Sequence, residues 1–86
     1  MTQDLAYVTF PSTYWALRAE RLLKEYGIPV TLRPVPRTMS SSCGICLEVE
    51  ASSVQDVVAA STRLGLELEG ICTKNGHSLL EQEEPH

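Results

Sequence analysis

Pro29 and Pro34 sit within the strand-like segment Ile28-Pro29-Val30-Thr31-Leu32-Arg33-Pro34-Val35, and they constrain the fold more than any other feature of the chain. Apolar and polar residues alternate at its centre, as a strand with one dry face requires. Proline has no N–H to give to a ladder, so a strand carrying two of them belongs at a sheet edge. Any sheet built from this chain must therefore place the segment outermost.

The other elements follow from periodicity and punctuation. Leu5-Ala6-Tyr7-Val8-Thr9-Phe10 is rich in β-branched and aromatic residues and stops at Pro11, which predicts a first strand. Ser12 offers a capping oxygen to a helix over 13–26, whose Trp15, Ala16, Ala19, Leu22, Leu23 and Tyr26 form one apolar stripe, with Gly27 as its stop. Ile45, Leu47 and Val49 alternate with Cys46, Glu48 and Glu50, predicting a strand with one dry and one wet face. Ser53 and Asp56 open a second helix whose stripe of Val54, Val57, Val58, Ser61 and Leu64 runs to Gly65. Leu66–Thr73 predicts a fourth strand with a bulge at Gly70, and the polar, acidic run 75–86 is expected to be a flexible tail after a single domain over 1–74.

The order β-α-β-β-α-β predicts an α+β, ferredoxin-like split βαβ fold: a four-stranded antiparallel sheet, order 4-1-3-2, with two helices on one face. That order puts strand 2 at an edge, where its prolines independently require it. At 86 residues the chain has room for one modest core. Its N-terminus lacks a basic region followed by an apolar run, and no stretch reaches the length of a membrane span, so a cytoplasmic location and no membrane partner are expected. The net charge is −4, and no basic stripe is visible, which argues against nucleic acid as a partner.

The polar loop from Pro34 to Cys46 holds three consecutive serines, Arg37, Gly44 and two of the three cysteines. An odd cysteine count without an export signal favours free thiols, a metal site or redox chemistry over a disulfide framework. In the predicted topology the loop into strand 3 lies at the same end of the sheet as the start of helix 1. Cys43 is thus expected near Ser12 and Thr13, where unpaired N–H groups and the helix dipole favour a thiolate, with Arg37 adding positive charge. Gly44 would let a partner's backbone approach. The plain alternative for Cys43 is a small, polarizable residue packed at a strand end.

Tyr7-Val8-Thr9-Phe10-Pro11-Ser12-Thr13, Ala19-Glu20, Leu23-Lys24-Glu25, Gly27-Ile28-Pro29-Val30, Pro34-Val35-Pro36-Arg37, Ser41-Ser42-Cys43-Gly44-Ile45 and Glu69-Gly70-Ile71, taken in order, resemble the selenium/sulfur carrier protein-like family, a small bacterial family. The resemblance covers roughly residues 5–74. It implies a carrier without independent turnover that holds a transient persulfide or selenopersulfide on Cys43, with no other cofactor, and relays it between donor and acceptor proteins. Cys46 and Cys72 depart from the family pattern, and no role carries over to them.

Cys43-Gly44-Ile45-Cys46 is formally C-x-x-C, which makes Cys46 a candidate secondary thiol. In an extended segment such residues lie about 10 Å apart on opposite faces, beyond the ~7 Å reach of a disulfide, so a dithiol requires a turn at Gly44. A zinc or iron–sulfur site would need Cys43, Cys46, Cys72 and His77 together, although Cys72 is expected at the far end of strand 4. His77 and His86 fall in the expected tail, and Glu48, Glu50, Glu67 and Glu69 read as a solvated face. The sheet face bearing Tyr7, Thr9 and Cys46, or the strand 2 edge, is where a partner or a second copy would bind. The rival class is a non-catalytic interaction or ligand-sensing module on the same fold.

Overall fold

The computed structural model describes residues 4–36 and 41–73. Its elements are β1 (Leu5–Thr9), α1 (Thr13–Glu25), β2 (Thr31–Pro34), β3 (Ile45–Glu50), a 3-10 turn (Ala51–Ser53), α2 (Val54–Leu64) and β4 (Gly70–Thr73). The four strands form one antiparallel sheet in the order β2-β3-β1-β4, which is the expected 4-1-3-2 read from the other side. β2 is an edge strand, as expected, but shorter than the 28–35 segment: it ends on Pro34, and Pro29 lies in the stretch before it.

α1 begins where Ser12, in an extended conformation, accepts a hydrogen bond from the Trp15 N–H at 3.4 Å and so satisfies one of the orphan donors of the first turn. It ends in a Schellman arrangement: the Gly27 N–H donates to Lys24 O at 3.0 Å and the Ile28 N–H to Leu23 O at 2.9 Å. The helix buries Ala16, Ala19 and Leu23 against the sheet. Two of these three contacts are alanines, which lets the backbone of α1 lie close to the strands. α2 adds Val57 and Ala60, and the alternate strand residues Ala6, Val8, Leu47, Val49 and Ile71 close the core from the sheet side. Truncating a fully buried member such as Leu47 or Leu23 to alanine costs about 2–5 kcal/mol by lost transfer energy plus cavity.

Several expectations are corrected. β4 is four residues long and starts at Gly70, which pairs directly with Thr9, so residues 66–69 are a connection and Gly70 is no bulge. The reason is the tight approach to β1: a Cβ on Gly70 would sit 3.4 Å from Thr9 Oγ1, and Thr9 Oγ1 donates to Gly70 O at 3.2 Å. The short strand also moves Cys72 from the far end of the sheet to a position opposite Tyr7, in the middle of β1. Ser53 makes no capping bond, because the chain enters α2 through the 3-10 turn. Tyr26 leaves the apolar stripe and is exposed at the C-terminal end of α1.

The face away from the helices is drier than its polar residues suggest. Tyr7, Thr9 and Cys46 are all buried, Cys46 completely. Register places Cys46 between Thr9 on β1 and Arg33 on β2, and places Glu48 opposite Tyr7. Arg33 Nε donates to Glu48 Oε1 at 3.3 Å, and the Tyr7 hydroxyl donates to Glu48 Oε2 at 3.2 Å. The short thiol therefore sits among larger polar neighbours that bond one another. The tail over 75–86, with His77 and His86, lies outside the described residues.

Candidate functional site at the Cys43 loop

The end of β1 pairs with the start of β3 through Thr9 and Cys46, and with the start of β4 through Thr9 and Gly70. One end of the sheet thus gathers three segments: the entry into α1, the loop ahead of β3 and the connection ahead of β4. Ser12, Thr13, Cys43, Gly44 and Glu69 all belong to it.

Gly44 shapes the loop. Its φ of 80° is in the left-handed region that a side chain disfavours, and its carbonyl accepts a 3.0 Å hydrogen bond from the Val35 N–H, which closes the base of the β2–β3 connection. The turn brings Cys43 back toward the protein. Its side chain is half-buried and packs against the core, and its Sγ donates to Ile45 O at 3.3 Å. Its backbone N–H donates to Ser41 Oγ at 3.3 Å, and that same oxygen lies 3.8 Å from Cys43 Sγ.

Ser42 faces away and is tied to another element. Its N–H donates to Glu69 Oε1 at 3.1 Å and its hydroxyl donates to Glu69 Oε2. The Ser42 hydroxyl, then the Ser42 N–H, hold the Glu69 carboxyl below its ordinary range, with further help from the Ser41 and Thr9 hydroxyls. Glu69 is therefore more than one of several carboxylates on a solvated face. Sequence reasoning missed it because an assumed strand over 66–73 gave it only an outward position; its place directly before the Gly70-Ile71 pair was the available signal.

The remaining site candidates are distributed differently. Ser12 spends its side-chain oxygen on the Trp15 N–H, and Thr13 is exposed at the first position of α1. Among the described residues, the hydrogen-bond partners of the Cys43 thiol are Ser41 and Ile45, on its own loop and strand. Arg37 lies outside the described residues. Cys46 Sγ lies 3.9 Å from Pro34 O, and burial, with smaller contributions from Glu48 and Cys43, pushes its pKa from 9.0 to about 11. The thiol of Cys46 points away from the helix side against which Cys43 packs, and Cys43 and Cys46 are free thiols. Among the described residues no group of three or more His, Cys, Asp and Glu is placed to hold a metal ion. No helix among them is long and apolar enough to cross a membrane.

The family described as "Putative Se/S carrier protein-like" matches residues 5–73, and the chain belongs to that family. No curated protein matches the chain, and no solved structure does.

Proposed function

We propose that this protein is a sulfur or selenium carrier that holds its cargo on Cys43 and relays it between partner proteins. The observation that carries the reading is the thiol of Cys43: half-buried and free, on a loop shaped by Gly44 and tied down by neighbours, within a chain of the selenium/sulfur carrier family. Half-burial suits a carrier, since the sulfur must be reachable by a docked partner yet sheltered from solvent oxidants.

The chemistry is thiol–persulfide exchange. The Cys43 thiolate attacks the terminal sulfur of a donor persulfide; a new S–S bond forms on Cys43, the donor's S–S bond breaks, and the donor cysteine leaves as its thiolate. An acceptor thiolate then attacks the terminal sulfur on Cys43, which leaves as a thiolate in turn. The sulfane sulfur keeps its oxidation state throughout, so neither step needs an external reductant. Ser41 sits within reach to orient the sulfur, and Gly44 leaves the approach to the loop free of a side chain. Ser12, Thr13 and Arg37 are the further candidates for stabilising the anion, from the helix terminus and the loop. The donor and acceptor are proteins with reactive cysteines, and a reducing cytoplasm is the compartment that keeps the Cys43 thiol reduced.

Incubation with a cysteine desulfurase and its amino-acid substrate tests this reading. Intact mass followed by peptide mapping is expected to find the added sulfur on Cys43, and to find none in Cys43→Ala. Persulfide absent from Cys43, or spread equally over Cys43, Cys46 and Cys72, would overturn it.

A further inference from the structure

We propose that Glu69 is the positioning residue of the Cys43 loop, holding it against the end of β1 through Ser42. The inference rests on the carrier reading only in taking Cys43 as the working thiol.

Three observations converge. The backbone of Glu69 is fixed: its N–H donates to Thr9 O at 2.7 Å, and the next residue, Gly70, is paired in the sheet and bonded by Thr9 Oγ1. Its carboxylate uses both oxygens on one residue, taking the Ser42 N–H on Oε1 and the Ser42 hydroxyl on Oε2. Ser42 is 27 residues away in sequence and adjoins Cys43, so this grip joins the loop to the connection that leads into β4, the strand at the opposite edge of the sheet from β2. The hydrogen bonds of Cys43 itself are local, its N–H to Ser41 and its Sγ to Ser41 and Ile45, while the Ser41 hydroxyl adds to the hold on Glu69.

Physical chemistry says why a carboxylate is used. A loop of serines and glycine loses much backbone freedom when ordered, and local bonds alone do not fix it relative to the rest of the fold. Hydrogen bonds to an ionised acceptor are roughly twice as strong as neutral ones, and a carboxylate can accept on both oxygens at once. Both groups are exposed, so water competes and the grip is moderate. A moderate tie is what a loop needs if a docked partner is to loosen it.

The test is alkylation of the folded, full-length protein with iodoacetamide, read peptide by peptide so that Cys72 serves as internal reference. Releasing the loop frees the half-buried Cys43 thiol from Ile45, so Glu69→Ala is expected to raise the Cys43 rate about fivefold while the Cys72 rate stays within about twofold. Glu69→Gln keeps one acceptor oxygen and is expected to fall between wild type and Glu69→Ala. Ser42→Ala added to Glu69→Ala is expected to change little, because both act through one contact. An unchanged Cys43 rate in Glu69→Ala, a parallel rise at Cys72, or full additivity of the two substitutions would overturn the proposal. If the desulfurase never loads wild-type Cys43 while Glu69→Ala still alters its alkylation selectively, the carrier reading fails and the positioning role stands.

Discussion

Tyr7 and Glu48 face each other in register across β1 and β3, and the Tyr7 hydroxyl donates a 3.2 Å hydrogen bond to Glu48 Oε2. The phenol is buried, and its burial, followed by the carboxylate beside it, raises its pKa above 10.0. Tyr7→Phe keeps the ring and deletes only the donor, so a loss of about 0.5–1.5 kcal/mol in urea unfolding is expected. Arg33 reaches the other oxygen of Glu48, but its side chain is 56% exposed, so Arg33→Ala should cost less than ~1 kcal/mol. A larger loss for Arg33→Ala than for Tyr7→Phe would show that this ranking is wrong.

Cys46 makes stability depend on alkaline pH. Its folded pKa of about 11 stands above the ordinary thiol value of 9.0, so the contribution is complete below pH 9 and is lost as the pH rises toward 11, where the unfolded thiol ionises first. The loss is at most on the order of 2–3 kcal/mol. Other groups titrate in that window, so the measurement is the stability difference between wild type and Cys46→Ala. That difference should be flat up to pH 9 and shrink between pH 9 and 11; a flat difference throughout would mean that the thiol ionises as freely in the folded protein as in the unfolded chain.

Ser61 is buried on α2, and its Oγ has no hydrogen-bond partner among the described residues. A desolvated hydroxyl without a partner costs about 1–3 kcal/mol, and alanine is also the better helix former. Ser61→Ala is therefore expected to stabilise the protein by about 1 kcal/mol. A lowered melting temperature would mean that the hydroxyl has a partner after all.

The topology was legible because independent signals agreed. Pro29 and Pro34 pointed to an edge, the β-α-β-β-α-β order supplied one at strand 2, and the structure has β2 at that edge, with Pro34 in the strand and Pro29 before it. Helix ends were legible for the same reason: Ser12, Gly27 and Gly65 act through local geometry that the sequence carries within a few residues. What the sequence could not convey was depth. Alternation assigned Tyr7, Thr9 and Cys46 correctly to the face opposite the helices, but burial on that face depends on which neighbours cross-strand register brings beside each residue. Glu69 was hidden for a related reason. Its partner, Ser42, is 27 residues away, and a contact that far apart has no periodic signature.

Gly44 offers a way to separate loop geometry from overall stability. A Cβ there would meet no atom within 4 Å, so Gly44→Ala introduces no clash and acts through the φ of 80° alone. The expected cost is about 1–2 kcal/mol, either as global destabilisation or as local relaxation of the turn. Gly65 is a matched control, with a φ of 72° and equally open surroundings, at the end of α2. If Gly44 sets the placement of Cys43, then Gly44→Ala should change the Cys43 alkylation rate severalfold while Gly65→Ala, at similar cost in urea unfolding, leaves it near the wild-type value. Equal effects of the two substitutions on Cys43 would show that its reactivity follows global stability and not the turn. Since the Gly44 carbonyl also accepts the Val35 N–H, protection of that amide from hydrogen exchange should fall in Gly44→Ala and persist in Gly65→Ala.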